Sequence, residues 1–219
     1  FDSDYLNDTL NELPPAINGE RRIYKEPEFG TDYVIGCDPS WCTGGDYAVA
    51  CVMSEFGEQV AVLSVHQGGE DRFGEMVADL SAYYHKARVL CESNTGGAGR
   101  VVIKKLSQYG IPLWKDQKGQ DWTTHRGNKE LAYSFARQLV NADSLVLTDH
   151  ATIQELMHVR EVKGRIEGQD GYHDDHSDSF ILACWALRYC PAFSGRDKNN
   201  FRDRFYRMNP ADRIRMALP

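Results

Sequence analysis

No stretch of the 219 residues approaches the ~20 consecutive apolar residues that cross a bilayer, and the start carries no signal-peptide pattern, so no membrane association is expected. Zinc-type cysteine spacing is missing as well. The six cysteines, Cys37, Cys42, Cys51, Cys91, Cys184 and Cys190, form no CxxC pair and lie mostly in apolar segments, which reads as reduced core thiols of a cytosolic protein. The glycines of NTGGAGR, residues 94–100, lack both a GK[ST] ending and a lysine for phosphates, so no ATP site is expected in this chain. Positive charge is scarce. With 25 Lys and Arg against 32 Asp and Glu, the net charge of −7 argues against a broad basic surface as the source of affinity, although an acidic body can still act on a polyanion where cations neutralise the site. There is no internal repeat and no low-complexity tract, and the opening FDSDYLND without a methionine reads as a piece of a longer protein.

What is present is globular: 42% hydrophobic and 11% aromatic residues, and a length that suits one full domain with arms. Residues 1–30 are polar, with Pro14, Pro15 and Pro27, and read as a linker or packing arm. Residues 31–190 hold the core. Residues 191–219 form a basic tail: from Ser194 onward seven Lys or Arg stand against three Asp, a balance of +4 that leaves −11 on the rest. Within the core, 33–38, 47–56 and 59–67 alternate as a three-strand meander, with Gly57 turning the last two. A helix is expected over 70–86, a buried strand over 88–94, a helix over 100–109, a strand over 111–114 and a helix over 127–141. A short strand at 145–148, a helix at 151–158, a hairpin over 159–171 turning near Gly168 and a last helix over 175–189 complete the order. The fold class is therefore α/β: a mixed sheet of five or more strands flanked by helices, with a hairpin inserted before the last helix.

Chemistry concentrates in YHDDHSDSFILACWALR, residues 172–188. Asp174, Asp175 and Asp178 stand in the first turn of an apolar helix, where free N–H groups and the dipole favour anions. Asp175 and Asp178 share a face, His173 and His176 flank them, and such like charges repel unless a cation sits between them. Taken alone, the group is equally an acidic helix cap. Two further acids change the reading: Asp38 ends the first core strand and Glu92 the fourth, so adjacent placement of those strands brings both to one sheet edge, where α/β folds bind ligands.

The series GCDPS…GGDYAV, VLCESNTGG and HDDHSDS resembles the nuclease domain of the large terminase subunits of tailed bacteriophages over residues 31–190. That resemblance implies a ribonuclease H-like fold, cleavage of double-stranded DNA during viral genome packaging, an ATP-driven motor domain ahead of the nuclease, and action in the cytoplasm of the infected bacterial host. It makes Asp38, Glu92 and Asp175 the catalytic acids, with Asp175 preferred to Asp174, and Asp46 an auxiliary aspartate. Two Mg²⁺ or Mn²⁺ ions about 4 Å apart suit such carboxylates. Asp38 is expected to bridge them, with Glu92 on one, Asp175 on the other, and Asp178 and Asp46 holding waters or a weaker metal. Asp174, His173 and His176 are auxiliary: the histidines either assist proton transfer or only hydrogen-bond the acids. Arg126, Lys129, Lys163 and Arg165 are candidate phosphate contacts on DNA, and no base-reading motif is present. The tail is expected to bind DNA or to dock on the portal protein, and the small terminase subunit is a further partner by resemblance. The rival readings are another ribonuclease H-like nuclease, of resolvase or transposase type, and a non-catalytic module linking motor to portal.

Overall fold

Successive side chains of a strand point to opposite faces, and YVIGCD is apolar on both, so this segment belongs in the middle of a sheet covered on two sides. The computed structural model describes residues 1–93, 97–116, 118–162, 165–190 and 193. In chain order the elements are α1 (Ser3–Glu12), β1 (Arg21–Ile23), β2 (Tyr33–Asp38), β3 (Thr43–Ser54), β4 (Gln59–Gln67), α2 (Gly69–Tyr83) and β5 (Arg88–Cys91). They continue with α3 (Ala98–Gln108), α4 (Arg126–Asn141), α5 (His150–His158), β6 (Val159–Val162), β7 (Arg165–Gly168) and α6 (Asp175–Leu187). The main sheet has five strands in the order β1-β4-β3-β2-β5; β2 and β5 are parallel and the other pairs antiparallel. Ile35, Cys37 and Val52 pack under α2 and α3 with Phe73, Val77 and Leu106. Val34, Val49 and Met53 face the opposite layer, where Phe180, Ile181 and Ala183 of α6 meet α4 and α5.

Gly36 sets how closely that layer approaches. A Cβ there would lie 2.1 Å from the Ser179 carbonyl oxygen and 2.2 Å from the Ala183 nitrogen, so the backbone of α6 rests directly on β2. Phe180, Leu182, Cys184 and Leu187 are buried around the helix, as expected of a helix enclosed on several sides.

The expected mixed sheet and the hairpin before the last helix are present, but four details differ. The fifth strand comes from β1, within the segment read as a linker or arm, which pairs with β4; α1 in the same segment buries Leu6 in the core. Residues 111–114 make only one bridge, Val89 to Leu113, because Pro112 has no N–H to extend a ladder. Residues 145–148 likewise make one bridge, Glu58 to Val146, since the buried Gln59 side chain accepts from the Thr148 and Asp149 nitrogens at 3.0 Å each and so replaces a strand partner. Val162 pairs with Arg165 at the closed end of the hairpin, so the turn is not near Gly168, which pairs with Val159 at the open end. Its missing side chain instead admits the Tyr172 carbonyl, 2.7 Å from where a Cβ would stand.

Asp149 joins the first segment to the rest. It caps α5 through the Thr152 nitrogen at 2.8 Å and accepts from Arg22 Nε at 2.7 Å and the Tyr24 hydroxyl at 2.6 Å. Burial alone would raise its carboxyl, but the Arg22 charge and hydrogen bond prevail and hold it below the usual range. A carboxyl depressed on folding stabilises above its unfolded pKa and loses that contribution as pH falls through the folded value. Asp149→Ala is expected to lower the unfolding free energy by about 3 kcal/mol at pH 7, since it strands the nearly buried Arg22. The deficit should shrink below about pH 4; urea melts across that range check both the size and the direction.

Candidate metal centre

Parallel neighbours end on the same side of a sheet. Asp38 is the last residue of β2, and Glu92 follows β5 directly, its nitrogen donating to the Cys37 carbonyl at 3.0 Å. Gly99 of α3 clears the ground beneath: a Cβ there would lie 2.1 Å from the Glu92 carbonyl oxygen. The antiparallel β3 starts where β2 ends, and its ladder is irregular between Thr43 and Ala48, which displaces Asp46 toward the same edge. α6 also starts there, with Asp175 and Asp178 in its first turn.

These carboxylates hold one another up. Asp38 is pushed well above the usual carboxylate range by burial and then by the charges of Asp178, Glu92 and Asp175, with Lys129 opposing. Glu92 is raised by burial, against a hydrogen bond from Thr124, and Asp178 is raised by burial despite Lys129. Asp175 is pushed up to about 7 by burial, against the Tyr47 N–H that donates to it at 3.0 Å; Glu155, Asp46 and Asp174 add to the rise.

Two groups can be distinguished within the cluster. On one side Lys129 Nζ lies 2.6 Å from Asp178 Oδ2 and 3.5 Å from Asp174, while the Tyr133 hydroxyl donates to Asp178 Oδ1 at 2.6 Å. On the other, Asp46, His173 and Asp175 offer ligand atoms all within 4.8 Å of one another, and His173 Nδ1 is 3.6 Å from Asp175. The Tyr47 ring lies between His66, stacked at 4.4 Å, and His173, edge-on at 5.6 Å. Oxygen donors dominate the whole site, and buried carboxylates facing one ammonium are a donor set that fits hard divalent cations.

Not every expected residue joins the site. His176 is buried and turns away, with Nδ1 2.8 Å from Glu155 Oε1. Lys129, expected among the phosphate contacts, has its ammonium within the acid cluster. Arg126 is exposed at the start of α4 and pairs with Glu130 at 2.9 Å. Lys163 and the Arg165 side chain lie outside the described residues, as does the tail from Ser194 onward. Sequence reasoning missed Tyr133, Thr124 and Glu155. Tyr133 had a signal, since it stands four residues after Lys129 on one face of α4.

No family model matches the chain. Solved structures do. The large terminase nuclease of the thermophilic phage G20c, with bound magnesium, superposes with a TM-score of 0.67 at 20% identity over 82% of this chain and 96% of that one. The nuclease domain of the large terminase of Thermus phage P74-26 gives 0.65 at 20% identity over 81% and 93%. The chain has the fold of large terminase nucleases. The nuclease domain of the large terminase subunit of bacterial virus Sf6 is more distant, 0.54 at 13% identity over 84% and 97%. This ribonuclease H-like terminase nuclease fold was solved with cobalt and zinc in the G20c protein, and with manganese and calcium in a variant of the Sf6 protein.

A carboxyl raised on folding favours the metal-free domain at low pH and weakens it as pH rises toward the folded value. For Asp175 that window runs from about 4 to about 7. Mn²⁺ competes with those protons, so it is expected to raise the melting temperature more at pH 8 than at pH 6. At a hundred times its dissociation constant the gain is about 2.7 kcal/mol. Thermal melts with Mn²⁺ and with EDTA at the two pH values test this; equal shifts at both would contradict it.

Proposed function

We propose that this chain is the nuclease domain of a phage large terminase, a Mg²⁺- or Mn²⁺-dependent endonuclease that cuts double-stranded DNA with little sequence preference during genome packaging. One observation carries the reading: acids from separate elements, Asp38, Glu92, Asp175 and Asp178, converge at one sheet edge of a fold shared with terminase nucleases. Asp38, Glu92 and Asp175 would hold two divalent ions, with Asp46 and His173 on the Asp175 side. When bound, such ions supply the positive charge that activates water for in-line attack on phosphorus and stabilises the departing 3′ oxygen.

The chain's own residues prepare the site. The Tyr47 N–H fixes one oxygen of Asp175, and Lys129 with Tyr133 fixes both oxygens of Asp178. Burial around Asp38 lowers the effective dielectric and strengthens every charge interaction there. Arg126, Lys163 and Arg165 would contact phosphates, which position DNA without reading sequence. Residues 31–190 would carry this activity, with 1–30 as a packing arm that adds β1 to the sheet and 191–219 as a basic tail. No helix among the described residues is long and apolar enough to cross a membrane. An ATPase motor in the same full-length protein, the portal protein and the small terminase subunit are the partners this reading implies, in the cytoplasm of the infected bacterium. The chain itself would not hydrolyse ATP.

Cleavage of supercoiled and linear duplex DNA with Mg²⁺, Mn²⁺ or EDTA tests the proposal. Nicking and smearing are expected with metal only, and Asp38→Asn should reduce them by more than about 100-fold, the upper end of what outer-shell changes cost. Undiminished cleavage by a folded Asp38→Asn variant would sink the assignment.

A further inference from the structure

Asp174 is the residue before α6 and of a type that usually caps a helix, yet its side chain makes no capping hydrogen bond. Its carboxylate is turned to Lys129, 3.5 Å away. Asp175 and Asp178, in the first turn, are committed to the Tyr47 nitrogen and to Lys129 and Tyr133. No acid of the α6 start satisfies the free N–H groups of its first turn. That work is done from another helix. Glu155 of α5 accepts from the Ser177 nitrogen through Oε2 at 2.9 Å and from His176 Nδ1 through Oε1 at 2.8 Å.

Both bonds are buried, and both fix the same turn. Ser177 stands between Asp175 and Asp178, and His176 directly follows Asp175, so the Glu155 carboxylate holds the backbone from which both acids project. His176 Nε2 is buried without a hydrogen-bond partner among the described residues, so the ring's tie to the protein runs through Glu155. A carboxylate–histidine pair behind a ligand turn is the kind of outer contact that orients ligands and tunes metal affinity.

We infer that Glu155, acting through Ser177 and His176, is a positioning residue that caps α6 in trans and thereby frees Asp174, Asp175 and Asp178 to face the cation site. The inference rests on the reading of this edge as a metal centre. Glu155 touches neither metal nor substrate in this account.

The test is Mn²⁺ binding by titration calorimetry, well below the melting temperature of each variant. Glu155→Ala should weaken the affinity by about 10- to 100-fold. Glu155→Gln keeps an acceptor for the Ser177 N–H and a polar group for His176, and should restore most of it. Leu156→Ala, a core truncation at the neighbouring position of α5, controls for simple loosening: it should lower the melting temperature and leave Mn²⁺ affinity unchanged. If Glu155→Ala only lowers the melting temperature, or if Leu156→Ala weakens Mn²⁺ binding equally, Glu155 is structural and the inference falls. If the unmodified chain binds no Mn²⁺, the metal-centre reading itself fails, an outcome distinct from the other two.

Discussion

Mutual repulsion among carboxylates is the constraint on which this structure turns. Asp38, Glu92, Asp175 and Asp178 each sit where burial and their neighbours' charges oppose ionisation. Unaided side chains would move apart into water. They stay together because each is anchored to an element that cannot move: Asp38 to a central strand, Glu92 to its parallel neighbour, and the other two to a helix whose backbone lies against β2 over Gly36. Lys129 returns one positive charge to the group, fewer than the acids require in the ionised state, and this imbalance makes the edge a place for cations.

The same demand explains the dual character of α6. Beyond its first turn it is a core helix, with Phe180, Ile181 and Leu182 buried against the sheet. In that first turn it carries the acids, and the polar contacts that tether it come from β3, α4 and α5 through Tyr47, Lys129, Tyr133 and Glu155. A helix start loaded with functional carboxylates cannot also use them as caps. Its capping is therefore distributed to its neighbours, and the cluster becomes rigid in proportion to the tertiary structure around it.

Much of this could be read from the chain because acids that end apolar strands stand out against their surroundings. Asp38 after YVIGC and the acids before FILACWAL needed only period and position to be noticed. β1 could not be seen this way, since RRI is three residues long, polar at two of them, and becomes a strand only because β4 offers an edge. The turn of the hairpin was misplaced for a related reason: Gly168 looks like a turn residue, whereas its small size serves a contact with Tyr172. The pairings of Lys129 and Glu155 were illegible in principle, although Lys129 itself stood out as a candidate phosphate contact. Each residue is an ordinary charged one on an amphipathic helix, and its partner is 49 or 22 residues away. Local pattern carries propensity and burial; the pairing of distant charges is decided by topology.

Topology also explains why these acids share one edge. Two parallel strands bring their ends to the same side, and Asp38 and Glu92 occupy those ends. An antiparallel strand brings its beginning there instead, and Asp46 stands near the beginning of β3. A helix that starts at this edge adds its N-terminal turn, with Asp175 and Asp178. Ends of parallel strands, the start of an antiparallel one and the start of a helix are the points of these elements that reach the edge, and each carries a carboxylate. A shift of β2 by a single residue would send Asp38 to the other face, because side chains alternate along a strand, and a one-residue shift of α6 would turn its acids by about 100° away from the edge. The chemistry of the site is thus as sensitive to the register of β2 and β5 and to the seating of α6 on Gly36 as to the acids themselves.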